Sequence, residues 1–579
     1  MLYFIPAWYH NDTWHENEQK WHSRRVRTEF DDTVKQIQLF NRNGDYKYSI
    51  IVLSYAPNLR HFLHRQGVFH APYWSAFDAI QEVKKKQIYV LSFRNLKWPE
   101  GIEFVYTPFV IVAYLDNEKY AQIEFGEDGN PIQVDMFHKE RLIRTNYYDD
   151  RGFLSSTVKY ENDKEVIQDY LMDNGIWKLR QYLDDGHVEI NPDYRNYLIQ
   201  YEGRDYRYEF KELSYNDLDS VIREVLTAYI RKTDYDDIFC AAMHERHLSI
   251  LRRALWDKKK VLSFFEDRVD IDRNKKIYCI MKKADFIIAD SKLSVSKIKT
   301  RFRNIDRERI IDITPYDSRV DFGISQQLNV QKILFPIDGL PDKIFRRTII
   351  IFAEYLKKNP HAEIDILTRL SDYNLKSDTM KRISKVLKRA VSKEEWEKYN
   401  EMQKVDLKGE NGIIDEIEAA GETEKLYSRF IVNQCVDELS VSKCMREQRI
   451  MVDLRSIPAL YLQISCISTG IPQIVRRKTE YVENGKNGYI IKDVDELPKV
   501  LDFCLDGLKN WNDAMINAYE LGKYYTTENI LEKWRGVIET IGKDKGVTDG
   551  KQEPEDGVQD IGYGGMDISS VDEESEDTV

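Results

Sequence analysis

The chain has 579 residues, 42% of them hydrophobic and 12% aromatic, enough to bury several cores rather than one. Its net charge of -12 comes almost wholly from residues 546–579, where 11 acidic residues meet one Lys, so the body is close to neutral and argues against a nucleic-acid partner. Six cysteines lie scattered without a C-x-x-C or zinc spacing, no run approaches the ~18 apolar residues of a membrane span, and the start, MLYFIP, lacks the basic and apolar regions of a signal peptide. Together these features describe a cytoplasmic protein with reduced thiols.

Residues 2–5 read as a first buried strand that ends at Pro6-Ala7-Trp8-Tyr9, where a Rossmann-type sugar-nucleotide enzyme often carries a glycine-rich loop and this chain has none. Trp8, Trp14 and Trp21, with His10, His15 and His22, make an aromatic and imidazole-rich segment that either stacks on pyranose faces or packs as an ordered loop. A second strand at 49–53 and a helix at 57–65 follow. His61, His64 and His70 lack a nearby carboxylate or Cys to complete a shell, so no metal site is expected.

From about 86 to 212 the helical period gives way to strict alternation, punctuated by Gly126-Glu127-Asp128-Gly129-Asn130, Asp173-Asn174-Gly175 and Asp184-Asp185-Gly186. So many hairpins predict an inserted antiparallel β-meander, with use as a docking face for a partner or an extended polypeptide, or as a spacer. Within it, the run from Tyr147 to Ser156, YYDDRGFLSS, resembles the extended β-sheet domain of glycosyltransferases that modify serine-rich adhesins.

Helical spacing resumes at 218–230, then a strand at 237–240 and a helix at 249–255 complete the first α/β unit. His244-Glu245-Arg246-His247 falls at the carboxyl end of that strand, where open α/β sheets bind ligands; it lacks the second histidine of H-E-x-x-H. ADFIIADS, from Ala284 to Ser291, resembles a segment near the end of the first domain of GT-B glycosyltransferases, and ITPYDSR, from Ile313 to Arg319, marks the approach to an interdomain cleft. A second unit opens with a strand at 332–336, the turn Gly339-Leu340-Pro341-Asp342-Lys343, a helix at 344–357 and a strand at 362–367. The charged stretch 369–424 reads as helical, a solvated face or a partner surface. A strand at 449–454 leads into a buried helix at 456–467, the turn Ser468-Thr469-Gly470-Ile471-Pro472, and a strand starting at 472. Amphipathic helices at 497–508, 510–526 and 530–541 follow, the last crossing back to the first domain, and the chain beyond Lys545 has the composition of disorder.

The segment from Ser456 to Lys492 resembles the nucleotide-binding half of retaining GT-B glycosyltransferases, whose pattern is Glu-x7-Glu, a Gly-x-Pro turn and Glu-x-x-x-(Asp/Asn)-Gly-x-x-Gly. Gly470, Pro472, Glu480, Gly485 and Gly488 match it, while the two glutamates fall on Ile457 and Ser465. The resemblance also implies an Arg and a Lys clamping the donor diphosphate; Lys343 stands at the second position and Asp338, which repels phosphate, at the first. The framework is kept and the reactive charges are replaced, so the reading is a degenerate glycosyltransferase without catalytic residues.

FIPAWY at the start, the meander, ITPYDSRVDFG and the degenerate donor motif together resemble the glycosyltransferase-like accessory Sec system family, the first of the three accessory secretory proteins. This resemblance implies a non-catalytic component that binds GlcNAc-modified serine-rich repeat adhesin without a cofactor. It also implies the two sister accessory proteins and the accessory Sec motor ATPase as partners, with peripheral membrane contact through the translocase. An active retaining glycosyltransferase and a scaffold without sugar affinity are the alternatives. The expected architecture is α/β, a GT-B-like pair of Rossmann-type domains with an inserted antiparallel β-meander and a disordered acidic tail. Its divisions are 1–85 and 213–325 for the first domain, 86–212 for the insert, 326–500 for the second domain, 501–545 for the crossing helices and 546–579 for the tail. Candidate glycan-cleft residues are Trp8, His10, His244, Arg246, Lys343, Ser468, Thr469 and Gly470.

Overall fold

Strands buried on both faces of a parallel sheet are unbroken apolar runs, and LYFI at Leu2–Ile5 and IFCAA at Ile238–Ala242 are fully buried examples. The computed structural model describes residues 1–543 except 11–12, 17–19, 23–29, 44–45, 273–275, 320, 371–373 and 389–421. The expected disordered tail and much of the charged stretch 369–424 lie outside the described residues.

The first sheet has seven parallel strands in the spatial order Tyr73–Ser75, Tyr48–Val52, Leu2–Ile5, Ile238–Ala242, Lys259–Phe264, Phe286–Ala289, Ile310–Asp312. Strand order reverses between Leu2–Ile5 and Ile238–Ala242, which places a binding crevice beyond the carboxyl ends of that pair. Helix Leu218–Ile230 packs beneath, buried at Val221, Ile222, Val225, Leu226 and Tyr229 as its spacing predicts, and Asp217 caps it by accepting the Ser220 N–H at 2.7 Å.

The second sheet repeats the plan with six parallel strands, Phe430–Gln434, Ala362–Thr368, Gln331–Pro336, Gln448–Asp453, Gln473–Val475 and Gly488–Ile490. Its reversal lies between Gln331–Pro336 and Gln448–Asp453. Phe430–Gln434 and the helix Glu438–Arg446 after it have no counterpart in the sequence-based expectations. The helix expected at 456–467 is Leu460–Thr469 instead, because Pro458 holds Ile457 out of the helical region and delays the start.

Ten antiparallel strands between Glu103–Tyr106 and Ser214–Tyr215 form the inserted meander. One hairpin departs from the simple meander: Asn196–Tyr201 and Arg204–Glu209 pair only with each other, and Tyr197, Ile199 and Phe210 join the core of the first domain. The crossing helix Thr527–Lys543 returns from the second domain and seats Trp534 against Phe4 and Phe40, with centroids 6.3 and 5.6 Å away.

Candidate functional site

The two reversal points define the site. At the first, the loop after Leu2–Ile5 carries Trp8, Tyr9 and His10, and the loop after Ile238–Ala242 carries His244 at the head of helix Glu245–Ala254. The Tyr9 hydroxyl donates to His247 Nε2 at 2.6 Å, while His247 Nδ1–H donates to the Ala242 carbonyl at 2.6 Å, so one tautomer is fixed. Burial, with His244 beside it, pushes the His247 imidazole down to about 3, and it stays neutral. Tyr9 packs edge-on against Trp14 at 5.2 Å and lies 5.0 Å from the His244 ring. Arg246 stands 5.7 Å from the Trp14 ring and 3.6 Å from Asp219, which also accepts the Trp14 indole N–H at 2.8 Å. His244 and Arg246 are therefore brought together around Tyr9 and Trp14, while His10, next to Tyr9 in the chain, donates its backbone N–H to the His15 carbonyl at 2.7 Å; all three are half-buried.

Trp8 is 4% exposed, packs on Phe62 at 4.8 Å and donates its indole N–H to Asp31 at 3.1 Å. Asp31 also accepts the Thr33 N–H and shares Arg268 with Asp32; burial and the Asp32 charge push it up to about 7.

At the second reversal point Asp338 is fully engaged in its own domain, accepting from the Thr368 hydroxyl at 2.6 Å and the Arg369 N–H at 2.7 Å. Arg455 forks onto Asp453 at 2.8 Å through both Nε and Nη2. Ile457 is 54% exposed, and Ser465 donates its hydroxyl to the Tyr461 carbonyl one turn earlier at 2.7 Å. Lys343 is exposed in the first turn of helix Asp342–Lys358. Ser468 and Thr469 end their helix against the segment that links the domains: Ser468 Oγ accepts the Arg319 N–H at 3.1 Å, and the Thr469 carbonyl accepts the Gly323 N–H at 3.1 Å. Gly470 caps the same helix at φ +74°, where a Cβ would stand 2.7 Å from Met515 Cγ. Lys343 and Ser468–Gly470 thus belong to elements other than the Tyr9–Trp14 cluster.

Between the two points the domains meet through rings. Phe30 packs on Tyr461 at 4.6 Å, Tyr316 packs on Tyr461 at 5.2 Å and bonds its hydroxyl to the Phe30 carbonyl, and the Arg369 guanidinium covers Phe30 at 4.8 Å. All three rings are at most 9% exposed and share a core with Leu334, Leu367 and Leu462. Lys35, 8% exposed, reaches across to Glu438 at 2.6 Å, and Glu480 accepts the Lys292 N–H of the first domain at 2.7 Å. Sequence reasoning missed Phe30, Lys35 and Tyr461, since each is an ordinary residue in its local pattern and gains its role only from a partner far along the chain, whereas Tyr316 lies in the segment read as the approach to the interdomain cleft. Among the described residues, no group of three or more His, Cys, Asp or Glu can hold a metal ion, and no helix is long and apolar enough to cross a membrane.

Two Rossmann-type sheets meeting across an aromatic seam, with an antiparallel insert on the first and a helix crossing back from the second, define a glycosyltransferase-like protein of GT-B architecture. The chain belongs to the accessory Sec system family of accessory secretory protein 1, whose family model matches residues 1–540. It is 32% identical over 543 residues to the family's Streptococcus gordonii accessory Sec system protein, covering 92% of this chain and 98% of that protein. A structure of accessory secretory proteins 1, 2 and 3 in Streptococcus pneumoniae contains a similar chain, with TM-score 0.72, 29% identity, and 94% and 99% of the two chains covered. The pneumococcal O-GlcNAc transferase GtfA, in complex with UDP and GlcNAc, shares the fold at TM-score 0.64 and 12% identity, over 94% of this chain and 99% of that one.

Proposed function

We propose that this chain is a non-catalytic member of a three-protein accessory secretory assembly, which holds GlcNAc-modified serine-rich repeat adhesin and helps hand it to the dedicated motor ATPase and channel at the cytoplasmic face of the membrane. The observation that supports the reading is the aromatic seam, in which Phe30, Tyr316 and Tyr461 pack as buried rings where the two domains meet; the motif resemblance adds Asp338 at the position where a diphosphate clamp needs a cation. Sister-protein partnership is supported by the similar chain found together with accessory secretory proteins 2 and 3. In this reading His10, His244 and Arg246 face the sugar, offering two imidazoles and a guanidinium around the Tyr9–Trp14 pair. Trp8, Ser468, Thr469 and Gly470 hold the walls, and Lys343 offers a cation at the rim. Binding is weak per sugar and gains strength through repetition along the adhesin.

Calorimetric titration of the full chain with UDP-GlcNAc and, separately, with a GlcNAc-glycosylated serine-rich peptide tests this. Expected are heat from the peptide, none from the nucleotide sugar, and several-fold weaker peptide binding in Arg246→Ala. Turnover of UDP-GlcNAc would return the chain to the active transferases, and silence toward both ligands would leave a scaffold without sugar affinity.

A further inference from the structure

Trp8, Trp14 and Trp21 begin as one aromatic series in the sequence, and the fold treats them unequally. Trp8 and Trp14 are 4% and 3% exposed, each with its indole N–H on a carboxylate, whereas Trp21 is 43% exposed. Trp21 is nevertheless held from two sides. Its backbone N–H donates to the Phe125 carbonyl and its indole N–H to the Phe109 carbonyl, both at 3.1 Å. Phe109, 38% exposed, lies 6.2 Å away at an interplanar angle of 29°, in a turn that Thr107 pins through Val110. The His22 ring stands edge-on to Trp21 at 5.8 Å. A large ring whose only polar atom is satisfied by backbone, and which is still left in water, presents a rigid apolar face.

Among the described residues, the surroundings of this ring pair are polar, with Lys20 and His22 paired to one carboxylate. Glu124, 1% exposed, accepts from Lys20 at 2.9 Å, Gln122 at 2.6 Å and His22 at 3.3 Å. Strand register then continues the same sheet face through Glu124, Gln133 and Tyr147 in one row, and through Gln122, Asp135 and Thr145 in the next. Gln122, Gln133 and Tyr147 are half-buried; Gln122 Oε1 accepts from Lys119 at 2.8 Å and Gln133 Nε2 donates to Asp135 at 3.1 Å, which holds both amides in place on this face. An apolar ring flanked by amides and hydroxyls matches a pyranose, which has one C–H face and a rim of hydroxyls.

We propose that the Trp21–Phe109 ring pair is a stacking platform for a neutral pyranose, with the adjacent Gln122–Gln133 face receiving the hydroxyls of the same or the next sugar. The subsite lies on the inserted sheet, so it is reached without parting the two domains. It rests on the reading of the chain as a sugar-binding protein and gives that reading a second contact, of the kind repeated sugars on one polypeptide require.

The test is titration of the full chain with the GlcNAc trimer chitotriose, read by calorimetry and saturation-transfer NMR. Loss of one stacked ring is expected to weaken binding about tenfold in Trp21→Ala and in Phe109→Ala, while Trp21→Phe retains most of the affinity. Because both side chains are exposed, all three variants are expected to melt with the wild type. Trimer binding that is unchanged in Trp21→Ala but lost in Arg246→Ala would overturn the platform and leave the cleft reading standing. Absence of trimer and glycopeptide binding in the wild type would overturn both. Concentration-dependent self-association that Trp21→Ala abolishes would assign the ring pair to a contact between copies of the chain and also overturn the proposal.

Discussion

Two buried titratable residues close to the first reversal point pull in opposite directions. His247 is held neutral, with its pKa near 3 in the fold against an ordinary value of about 6.5, so the unfolded chain takes up the proton first on acidification. Its contribution to stability is complete above about pH 6.5 and is lost as the pH falls toward 3. Asp31 runs the other way: raised from 3.8 to about 7 by burial and Asp32, it makes the fold retain a proton that the unfolded chain releases, and stability falls as the pH rises between those values. Asp31→Asn should therefore gain stability relative to the wild type from about pH 4 to 7, by up to about 1.4 kcal/mol per pH unit. Urea midpoints across that range check it, and parallel profiles would show that Asp31 keeps its ordinary titration. At the seam, Phe30→Ala removes a ring that packs on Tyr461 and lies under Arg369; a loss of about 3 kcal/mol in denaturant unfolding is expected.

Helix ends and crossing elements carry the next set of effects. Gly470 ends Leu460–Thr469 at a positive φ and against Met515, so Gly470→Ala combines backbone strain with a clash. A drop of about 1–3 kcal/mol is expected, measurable as a lower urea midpoint with an unchanged m-value. The helix Thr527–Lys543 binds the two ends of the chain through Trp534, which is 1% exposed. Trp534→Ala should cost about 3–5 kcal/mol and open the linker around Ser318, whose N–H donates to the Tyr525 carbonyl at 2.7 Å, to proteolysis. An unaltered digestion pattern would show that this helix is dispensable to the interdomain arrangement. The periodicity of both elements was readable from sequence, as was the glycine turn; the left-handed cap had the further signal of Gly470 followed by Pro472.

Across the whole molecule, the ion pair of Lys35 with Glu438 separates two roles of charge. Lys35 is 8% exposed on its side chain and Glu438 is 44% exposed, so removing the carboxylate leaves a buried ammonium with reduced pairing, while removing the ammonium leaves a carboxylate in water. Glu438→Ala is expected to destabilise by about 2 kcal/mol or more, and Lys35→Met by under about 1 kcal/mol, in thermal or denaturant unfolding. Equal losses would mean that the pair behaves as an exposed one. A second polar link joins the domains where Glu480 accepts the Lys292 N–H at 2.7 Å.

The α/β class, the doubling of the Rossmann plan, the antiparallel insert and the crossing helix were legible in the sequence, because buried parallel strands, alternation and 3.6-residue spacing are local patterns. The proposed reading that Ile457, Ser465 and Asp338 stand at the charged donor positions rests on residue identity at fixed spacing from Gly470 and Lys343. Only the tertiary structure decided which aromatic residues are core and which are surface. Trp8, Trp14 and Trp21 look alike in sequence, yet Phe62 and Asp31 enclose the first and Tyr9 and Asp219 the second, while the third is left in solvent. It likewise decided that Phe30 and Tyr461 meet, that a hairpin leaves the meander for the first domain, and that His244 and Arg246 gather around Tyr9 and Trp14. Those outcomes depend on contacts between segments hundreds of residues apart, and no local period records them.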